Sequence, residues 1–396
     1  MRILFLSQRV PYPPNRGDKI TTWRLIERMA RRHDVTVIAF AHDDADEAAL
    51  EELRNRGFDA IGFRLRKVGA RLRALPLLVT KKPLTLGFYG SRALQAEVDR
   101  RIEWADVAYA YSSSMGAFLV SHPKTPRVMH FAELDSDKWR QYSERTGPPG
   151  QWIYRREWRT LLGFERKLAH ASFLNVLCTI VEERIFREQI PGAPTAVLTN
   201  GVDLAAFAPS PETRVPGRIV FTGVMNYLPN IDGCIFFANL VFPEVLKEFP
   251  DATFIIVGAD PTPEIERLTR IPNVIVTGTV PDTRDFLREA AVAVAPLRIA
   301  RGIQNKVLEA MAMGLPVVGS TAATKGVGGE PGRHFLVGDE SESQIRAVCS
   351  LLGDDEHARK LGASARSFVE ENYDWETCLA PLDGILERCK ASRAAS

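Results

Sequence analysis

Residues 296–318 read PLRIARGIQNKVLEAMAMGLPVV, and this stretch decides the fold because it connects two apolar strands through a helix. The AVAVAP run ends at Pro296, and the loop that follows carries Arg298, Arg301 and Gly302. An apolar helix comes next, and the PVV run then begins the second strand. A strand, a helix and a strand in succession predict a parallel sheet with helices packed against it.

The helix in this stretch contains one carboxylate, Glu309, in an apolar sequence formed by Val307, Leu308, Ala310, Met311, Ala312 and Met313. Burying an unpaired charge is costly, so Glu309 needs a partner. Lys306 precedes it by one turn on nearly the same face, and the start of the helix favours an anion. Two explanations remain open. Glu309 pairs with Lys306 or Arg301 in an ordinary core helix, or a ligand brings hydroxyls to Glu309 and a diphosphate to the start of the helix.

The stretch also resembles the nucleotide-sugar site of retaining glycosyltransferase family 4, which has the GT-B fold. The family pattern is E-x7-E, with the second Glu in a helix reading roughly LEAMAxGxPVV, and Glu309 matches that residue. Arg301 stands at the position of the first Glu, where a positive charge cannot do the work of a carboxylate. The resemblance implies that Glu309 binds the ribose. The diphosphate ligands are then Arg298, Arg301, Gly302 and Lys306.

Two further segments carry the resemblance. Residues 199–209, TNGVDLAAFAP, fit a family pattern at the entry to the interdomain linker and indicate a structural turn. Residues 221–233, FTGVMNYLPNIDG, open the second domain, and Gly223 allows a phosphate to approach the backbone closely. Family members commonly place an Arg and a Lys in this loop, whereas Asn226 and other polar residues stand here. Gly223 and Asn226 complete the predicted donor-binding set.

Short β-rich runs alternate with amphipathic stretches along the chain, which predicts an α/β protein. With the resemblance, the expected architecture is a GT-B type fold, two doubly wound Rossmann-like domains facing across a cleft. The expected parts are an acceptor-side domain (1–205), a linker (206–217), a nucleotide-sugar-binding domain (218–375) and a final helix (376–396) packing back on the first domain. Ligands of open α/β sheets bind beyond the carboxyl ends of the strands, so the site is expected in the cleft.

Ten strands and six helical stretches are predicted from the apolar patterns. The strands begin at Arg2, Asp34, Asp106, Arg127, Phe173, Arg218, Thr253, Asn273, Ala291 and Pro316. The helical stretches are 18–32, 90–103, 151–169, 231–248, 283–290 and 341–371.

Composition sets the broad class. The chain has 396 residues, 45% hydrophobic and 25% charged, which is typical of a globular protein outside the membrane. MRILFLSQRV at the N-terminus indicates a first strand rather than a signal peptide, so a cytoplasmic location is expected. The five cysteines are scattered without metal-ligand spacing, which favours reduced core thiols and neither a metal site nor a cofactor.

Charge is distributed unevenly between the two halves. Residues 1–200 contain 32 Lys and Arg against 23 Asp and Glu, whereas residues 201–396 contain 19 against 26. The segment 64–82, RLRKVGARLRALPLLVTKK, has seven cations and no acid, and its apolar residues recur at helical spacing. This pattern is typical of a helix lying on an anionic membrane, here the inner membrane face; a solvated basic helix packed on its own domain is the alternative.

The first domain offers two further groups of site residues. The proline-rich loop at 7–17 ends at Gly17 and Asp18, where family 4 enzymes usually have Gly-Gly close to the diphosphate and the acceptor. Asp18 also suits a helix N-cap, and a plain strand-to-helix connection is the alternative. After the strand at Arg127, Glu133 and Asp135 are the candidate catalytic residues, in a stretch resembling an exopolysaccharide-associated subgroup. Helix capping is the alternative for Asp135, and His130 is expected in the core.

The resemblance implies that the chain is a retaining, metal-independent glycosyltransferase of polysaccharide or glycolipid synthesis. The donor is a UDP- or GDP-sugar, and the acceptor is a saccharide or a lipid-linked hydroxyl compound. A non-catalytic nucleotide-sugar-binding or assembly protein is one alternative, because Arg301 and the loop without cations both fall at the donor site. A nucleotide-sugar epimerase of similar fold is another. The chain lacks G-x-G-x-x-G after the first strand and a P-loop, and nothing supports nucleic-acid binding.

Overall fold

Two all-parallel sheets, one in each of two structural units, organise the protein. The computed structural model describes residues 1–209, 214–300 and 302–394. Unit 1 comprises Met1–Thr199 and the C-terminal segment from Leu379, and unit 2 comprises Asn200–Cys378. Each unit is described separately below.

The sheet of unit 1 has seven strands in the order β3-β2-β1-β4-β5-β6-β7. Their bounds are β1 Arg2–Ser7, β2 Asp34–Ala41, β3 Asp59–Arg64, β4 Val107–Tyr111, β5 Arg127–Ala132, β6 Leu174–Leu177 and β7 Thr195–Val197. β1 and β2 are buried along almost their whole length, as expected for central strands covered by helices on both faces.

Nine helices belong to the described part of unit 1 before residue 200. They are α1 Gly17–Ala30, α2 Asp44–Asn55, α3 Lys67–Ala74, α4 Leu84–Tyr89, α5 Arg92–Arg101, α6 Ser113–Gly116, α7 Asp135–Arg145, α8 Gly150–His170 and α9 Ile180–Gln189. The core around the central strands includes Leu4, Leu6, Ile38, Phe40 and Met129, all buried.

The sheet of unit 2 has six strands in the order β10-β9-β8-β11-β12-β13. These are β8 Arg218–Thr222, β9 Thr253–Val257, β10 Val274–Val276, β11 Val292–Ala295, β12 Val317–Gly319 and β13 Leu336–Val337. The helices are α10 Leu228–Phe236, α11 Phe242–Glu248, α12 Pro263–Glu266, α13 Thr283–Glu289, α14 Asn305–Ala312, α15 Thr321–Thr324, α16 Ser341–Gly353 and α17 Asp355–Asn372. The last helix, α18 Trp375–Ala394, begins in unit 2 and continues into unit 1.

All ten predicted strands are present, and three further strands were not predicted. β3, β7 and β13 each complete a sheet at or near its edge. β3 reads DAIGFR, which has a charged residue at each end and a glycine inside. β7 and β13 are only three and two residues long. Edge strands of this kind lack the continuous apolar run that identifies a buried strand.

Two predicted helices are divided. The stretch 341–371 forms α16 and α17, because Asp354 adopts an extended conformation and its side chain accepts the amide of His357 as the cap of α17. The stretch 231–248 forms α10 and α11, joined through a π-helical turn at Phe237–Val241. Pro243 lies in the first turn of α11, where a missing backbone N–H is tolerated.

The basic segment 64–82 is not one helix. α3 covers Lys67–Ala74, a 3₁₀ helix covers Leu75–Val79, and an irregular loop follows. Leu65, which the sequence places on the apolar face, precedes α3 and is buried in unit 1. The rest of the segment is described further below.

The chain enters and leaves unit 2 at neighbouring positions. The Val202 amide donates to the Tyr373 carbonyl oxygen at 2.8 Å, and Val202 forms a parallel bridge with Asp374. The Cys378 thiol lies 3.7 Å from the Asn200 carbonyl oxygen. The two ends of unit 2 therefore meet.

No helix within the described residues is both long and apolar enough to cross a bilayer. All five cysteines are buried as free thiols, in agreement with the expectation of core thiols.

Two glycines inside helices allow a matched test of packing. A Cβ on Gly163 in α8 would meet open space, whereas a Cβ on Gly362 in α17 would lie 2.0 Å from the Gly314 carbonyl oxygen. We expect Gly163→Ala to raise the free energy of unfolding by about 0.5–1 kcal/mol, because alanine has the higher helix propensity. We expect Gly362→Ala to lower it by about 1–3 kcal/mol, because α17 must move away from that carbonyl. Urea denaturation measures both effects, and equal effects would contradict this account of Gly362.

Candidate functional site

The predicted donor residues lie at the carboxyl ends of β8 and β11 in unit 2. These strands are neighbours in the sheet, and the chain leaves them in opposite directions, toward β9 and toward β12. Such a point in an open α/β sheet is where ligands bind. The loop after β8 carries Gly223 and Asn226, and the loop after β11 leads through Arg298 and Gly302 into α14.

Lys306, in the first turn of α14, extends to the loop after β8. Its Nζ donates to Asn230 Oδ1 at 2.7 Å and lies 3.9 Å from the centre of the Phe221 ring. Burial lowers the pKa of Lys306 to about 7, although the neighbouring Cys234 and Glu309 act to raise it. The unit thus holds an ammonium group in a position where water does little to stabilise its charge.

Gly223 makes this position of Lys306 possible. A Cβ on Gly223 would lie 2.7 Å from Asn230 Nδ2 and 2.9 Å from Lys306 Nζ. A Cβ on Gly258 would lie 1.6 Å from the Gly223 carbonyl oxygen, so the turn after β9 packs directly on the same residue. The loop is therefore fixed by backbone packing on one side and by Lys306 and Asn230 on the other.

Glu309 lies one turn beyond Lys306 in α14 and is half-buried. Burial raises the pKa of Glu309 to about 7, and the charge of Lys306 lowers it in part. Its neighbours in α14, from Val307 to Ala312, are otherwise buried apolar residues. The structure thus brings Lys306 and Glu309 together in one electrostatic environment.

Arg298, by contrast, is engaged by a carboxylate within the unit. Its Nε donates to Asp232 Oδ2 at 2.9 Å, and its Nη2 donates to Asp232 Oδ1. The hydrogen bond from Asp232 raises the pKa of Arg298, and the guanidinium lies 5.5 Å from the centre of the Phe236 ring. Arg301, the other predicted phosphate ligand of this loop, lies outside the described residues.

The other residues predicted to bind the donor lie in the loops after β8 and β11. Asn226 Nδ2 donates to Asp260 Oδ2 at 3.0 Å on the surface of the loop. Gly302 has φ +61° and lies just before α14. Gln304 is the N-cap of α14, and its side chain makes no capping hydrogen bond, so the first turn of the helix has no side-chain cap.

Unit 1 has an equivalent point between β1 and β4, which are neighbours whose connections run in opposite directions. Gly17 and Asp18, predicted for the acceptor or diphosphate loop, begin α1. The expectation that Asp18 is the N-cap is wrong, because Arg16 occupies that position. Asp18 lies in the first turn, where an acid is still favourable, and it pairs with Arg9 at 3.3 Å and Arg16 at 2.6 Å.

Three serines after β4 form a hydroxyl cluster that sequence reasoning did not identify. Gln8 Nε2 donates to Ser114 Oγ at 2.6 Å, and Ser112 Oγ lies 3.0 Å from Ser114 Oγ. Ser113 Oγ donates to Asp135 Oδ2 at 2.9 Å. Ser112 has φ +78°, an uncommon conformation for a residue with a side chain. The available signal was a run of three hydroxyls directly after a buried strand, at the edge where ligands bind.

The predicted catalytic carboxylates occupy the turn between β5 and α7. Asp135 lies in the first turn of α7, 3.7 Å from Lys138 Nζ, and receives the Ser113 hydroxyl. Glu133 lies in the preceding turn, where its amide donates to the Phe131 carbonyl oxygen at 2.7 Å. The structure thus brings Asp135 to Ser113 of the serine cluster. His130 lies in the core as expected, with Nδ1 2.7 Å from the Tyr109 hydroxyl.

Glu165 is a second residue that sequence reasoning missed. It is completely buried on the apolar side of α8, and its Oε1 accepts the amide of Ser136 at 3.3 Å at the start of α7. Its Oε2 has no hydrogen-bond partner. Burial, with Asp135 nearby, raises the pKa of Glu165 to about 8. The available signal was an acid at a helix position otherwise reserved for apolar residues.

Among the residues that the structure describes, no three His, Cys, Asp or Glu side chains come together as metal ligands.

Comparison with known sequences gives the following. Residues 216–354 match the sequence profile of a family described as Glycosyl transferases group 1. An uncharacterized 44.6 kDa protein of the cps region of Klebsiella pneumoniae is 21% identical over 401 residues, covering 94% of this chain and 96% of that protein. The GDP-mannose-dependent alpha-(1-6)-phosphatidylinositol monomannoside mannosyltransferase of Mycolicibacterium smegmatis is 28% identical over 235 residues, covering 52% of this chain and 59% of that protein.

Solved structures show the fold. Sucrose-phosphate synthase from Thermosynechococcus elongatus has a TM-score of 0.75 at 17% identity, covering 99% of this chain and 100% of that chain. The Anabaena protein HepE in complex with UDP has a TM-score of 0.71 at 17% identity, covering 98% and 100%. With the two parallel sheets, these likenesses confirm the predicted α/β fold of GT-B type.

The buried carboxyl of Glu165 makes a prediction about stability and pH. The unfolded chain releases this proton near pH 4.5, whereas the folded chain keeps it up to about pH 8. Because the folded state binds more protons across this range, Glu165 makes the free energy of unfolding fall as pH rises from 5 to 8. Glutamine has no proton to lose, so we expect the free energy of unfolding of Glu165→Gln to rise relative to that of wild type as pH increases. The difference should grow by on the order of a few kcal/mol between pH 5 and pH 8.

Urea denaturation at several pH values measures this effect. The exposed Glu188 of the same unit provides the control, because Glu188→Gln is expected to follow wild type at every pH. Parallel pH profiles for wild type and Glu165→Gln would show that Glu165 is ionised in the folded protein.

Proposed function

We propose that the chain is a glycosyltransferase that transfers a sugar from a nucleotide diphosphate sugar to a hydroxyl acceptor. In this proposal the reaction retains the anomeric configuration and needs no metal ion, as the resemblance to family 4 implies. Structures of HepE with UDP and with UDP-glucose, and the GDP-mannose dependence of one mycobacterial relative, support a nucleotide-sugar donor. The relative encoded in a cps region supports an acceptor from polysaccharide synthesis.

The observation that carries the proposal is the position of Lys306. Its ammonium lies beneath the Gly223 loop, at the carboxyl end of the central strand β8, in contact with Asn230. A diphosphate bound against this loop would meet a positive charge that water screens poorly. The proposed phosphate site therefore takes its charge from α14 rather than from the loop itself, with Arg298, Gly302 and Asn226 around it. Arg301, outside the described residues, is proposed as a further phosphate ligand.

Glu309 is proposed to bind the ribose of the donor. A carboxylate accepts hydrogen bonds from two neighbouring hydroxyls, and ribose offers such a pair. The apolar residues around Glu309 in α14 make its charge costly without a partner, and the hydroxyls of the donor would supply one.

Charge stabilisation is the main contribution of these residues to the reaction. When the bond between the sugar and the diphosphate breaks, negative charge builds up on the departing phosphate. Lys306 and the first turn of α14 would stabilise that charge from fixed positions, without needing to reorganise.

Unit 1 is proposed to bind the acceptor. Its hydroxyl cluster, with Gln8 and Asp135, offers donors and acceptors suited to a saccharide. Asp135, held by Ser113, would orient the attacking hydroxyl, with Glu133 as the second carboxylate and the Gly17–Asp18 turn beside them. The acceptor itself is proposed to be a saccharide or a lipid-linked saccharide, which the protein reaches by contacting an anionic membrane through residues 64–82.

The first test examines Glu309 and the donor. Saturation-transfer NMR with a panel of UDP- and GDP-sugars, followed by assays of nucleoside diphosphate release, is expected to detect binding and turnover in wild type. Glu309→Ala is expected to lose at least about tenfold in donor affinity while remaining folded, because a buried hydrogen-bonded carboxylate typically contributes this much. Turnover is expected to persist in EDTA.

Glu342→Ala is the matched control, since Glu342 is an exposed acid of the same unit. Unchanged transfer by Glu309→Ala would exclude the ribose role. Donor binding without turnover would favour a non-catalytic nucleotide-sugar-binding protein, and an epimerised donor would identify an epimerase.

The second test examines Lys306 through its charge. In the free protein Lys306 loses its proton near pH 7, so the affinity for UDP-glucose, whose diphosphate keeps its charge over this range, is expected to fall as pH rises from 6 to 8. Lys306→Arg is expected to remove this pH dependence because arginine stays charged. Lys306→Met should weaken UDP binding by about tenfold or more at pH 6, and Arg298→Met by less, because Asp232 already pairs with Arg298.

Isothermal titration measures these affinities, with UDP-glucose for the pH series and UDP for the comparison of variants at pH 6. Lys247→Met, which removes an exposed lysine from α11, serves as the control. Wild-type affinity in Lys306→Met would place the phosphate elsewhere.

A further inference from the structure

The segment from α3 to α4 has its apolar residues on the outside. The side chains buried on its inner face are the small Ala70 and Ala74. Of its large apolar side chains, Leu77, Leu78 and those of α4 are half-buried, whereas four are exposed: Val68 is 73%, Leu72 62%, Leu75 55% and Val79 93% exposed. A helix that only packs on its own domain places its large apolar residues inward, so the outer face of this segment needs another explanation.

Cations surround these apolar residues, and acids are missing. Six exposed cations share the segment, namely Arg66, Lys67, Arg71, Arg73, Lys81 and Lys82. The sequence contains no Asp or Glu between residues 60 and 96. Apolar side chains among uncompensated positive charges match a surface that is apolar inside and anionic at its boundary, which is the chemistry of an anionic bilayer.

The irregular end of the segment is held in place by α8. Arg156 Nε donates to the Leu78 carbonyl oxygen at 2.9 Å, and Arg156 Nη2 donates to the carbonyl oxygens of Thr80 at 2.5 Å and Lys82 at 3.0 Å. The next residue, Glu157, accepts the amide of Leu84 at 2.7 Å. Four backbone groups are thus hydrogen-bonded to α8. The 3₁₀ helix that ends at Val79 and the loop after it therefore have a defined conformation before any partner binds.

The same helix extends the surface. Trp152 lies one turn before Arg156 and is 61% exposed, and Arg155 and Arg159 on α8 are exposed as well. Tryptophan is favoured at the boundary between water and lipid, because its ring is apolar and its N–H is polar. α8 therefore adds an aromatic residue and two cations beside the loop that it holds.

We infer that α3, the 3₁₀ helix Leu75–Val79 and the loop to Lys82, together with Trp152, form a preformed docking surface for anionic lipid bilayers, with Val79 at its tip. This inference rests on the proposed membrane contact and deepens it. The surface docks as a rigid body, held by Arg156 and Glu157, rather than by folding a helix on the lipid. Val68, Leu72, Leu75 and Val79 enter the headgroup region while the flanking cations contact the anionic headgroups.

Vesicle co-sedimentation of the full chain tests the inference. The probes are vesicles of phosphatidylcholine with and without phosphatidylglycerol. Wild type is expected to bind only the anionic vesicles and to be released by salt. Leu72→Asp and Val79→Asp are expected to lower partitioning by at least about tenfold. Ile180→Asp, at a 68% exposed position in the first turn of α9, is the matched control and should bind like wild type.

Circular dichroism separates rigid docking from folding on the membrane. The helical signal is expected to be the same with and without anionic vesicles. A gain in helix, equal losses in Val79→Asp and Ile180→Asp, or wild type remaining unbound would overturn the inference. A change in oligomeric state on Leu72→Asp, seen by analytical ultracentrifugation, would also overturn it by identifying a second copy of the chain as the occupant.

Nucleotide-sugar binding without lipid keeps the two proposals apart. Leu72→Asp and Val79→Asp are expected to retain it, because they lie in unit 1 and the proposed donor residues lie in unit 2. Donor turnover with no vesicle binding would overturn the docking surface and the proposed membrane contact, and would leave the proposed sugar transfer standing. Vesicle binding with no donor binding would overturn the proposed function alone.

Discussion

A half-buried lysine, Lys306, joins the two loops of unit 2 that carry the predicted donor residues. Lys306 gives up hydration and receives in exchange the Asn230 carbonyl oxygen and the face of the Phe221 ring. That exchange leaves no space for a side chain at Gly223, and the turn at Gly258 packs on the same backbone. One departure from the family pattern, the loop after β8 without cations, thereby has a physical explanation. The Gly223 loop lies against Lys306 and therefore needs fewer cations of its own. Arg298 pairs with Asp232 instead.

Both units have a crevice at the same point of their sheet topology, but different side chains line it. In each, two neighbouring parallel strands send the chain in opposite directions and leave a crevice at their carboxyl ends. In unit 2, the crevice is lined by a cation and a carboxylate from one helix, Lys306 and Glu309 of α14. Unit 1 fills the rim with hydroxyls and an amide, and keeps a buried acid, Glu165, behind them. A diphosphate suits the first set, and a neutral polyol suits the second.

Sequence reasoning identified the fold because central parallel strands are continuous apolar runs, and all ten such runs are strands. It missed β3, β7 and β13, because an edge strand is short or carries charge and has no distinctive pattern. The proximity of Lys306 and Glu309 followed from helical spacing. The contact from Lys306 to Asn230 could not be predicted, because it joins positions 76 residues apart. The pairing of Arg298 with Asp232 and the role of Ser113 beside Asp135 are likewise products of tertiary structure.

The meeting of the two ends of unit 2 has a consequence for how the chain is assembled. Asn200 and Cys378 are in contact, so the 179 residues from Asn200 to Cys378 stand, in topological terms, where unit 1 would have a single surface loop. Closing a loop whose ends already touch adds little entropic cost to the folding of the host, however long the insert. Unit 2 therefore has the geometry of an inserted domain. A circular permutation that joins its ends and opens the chain elsewhere on its surface would preserve its sheet order.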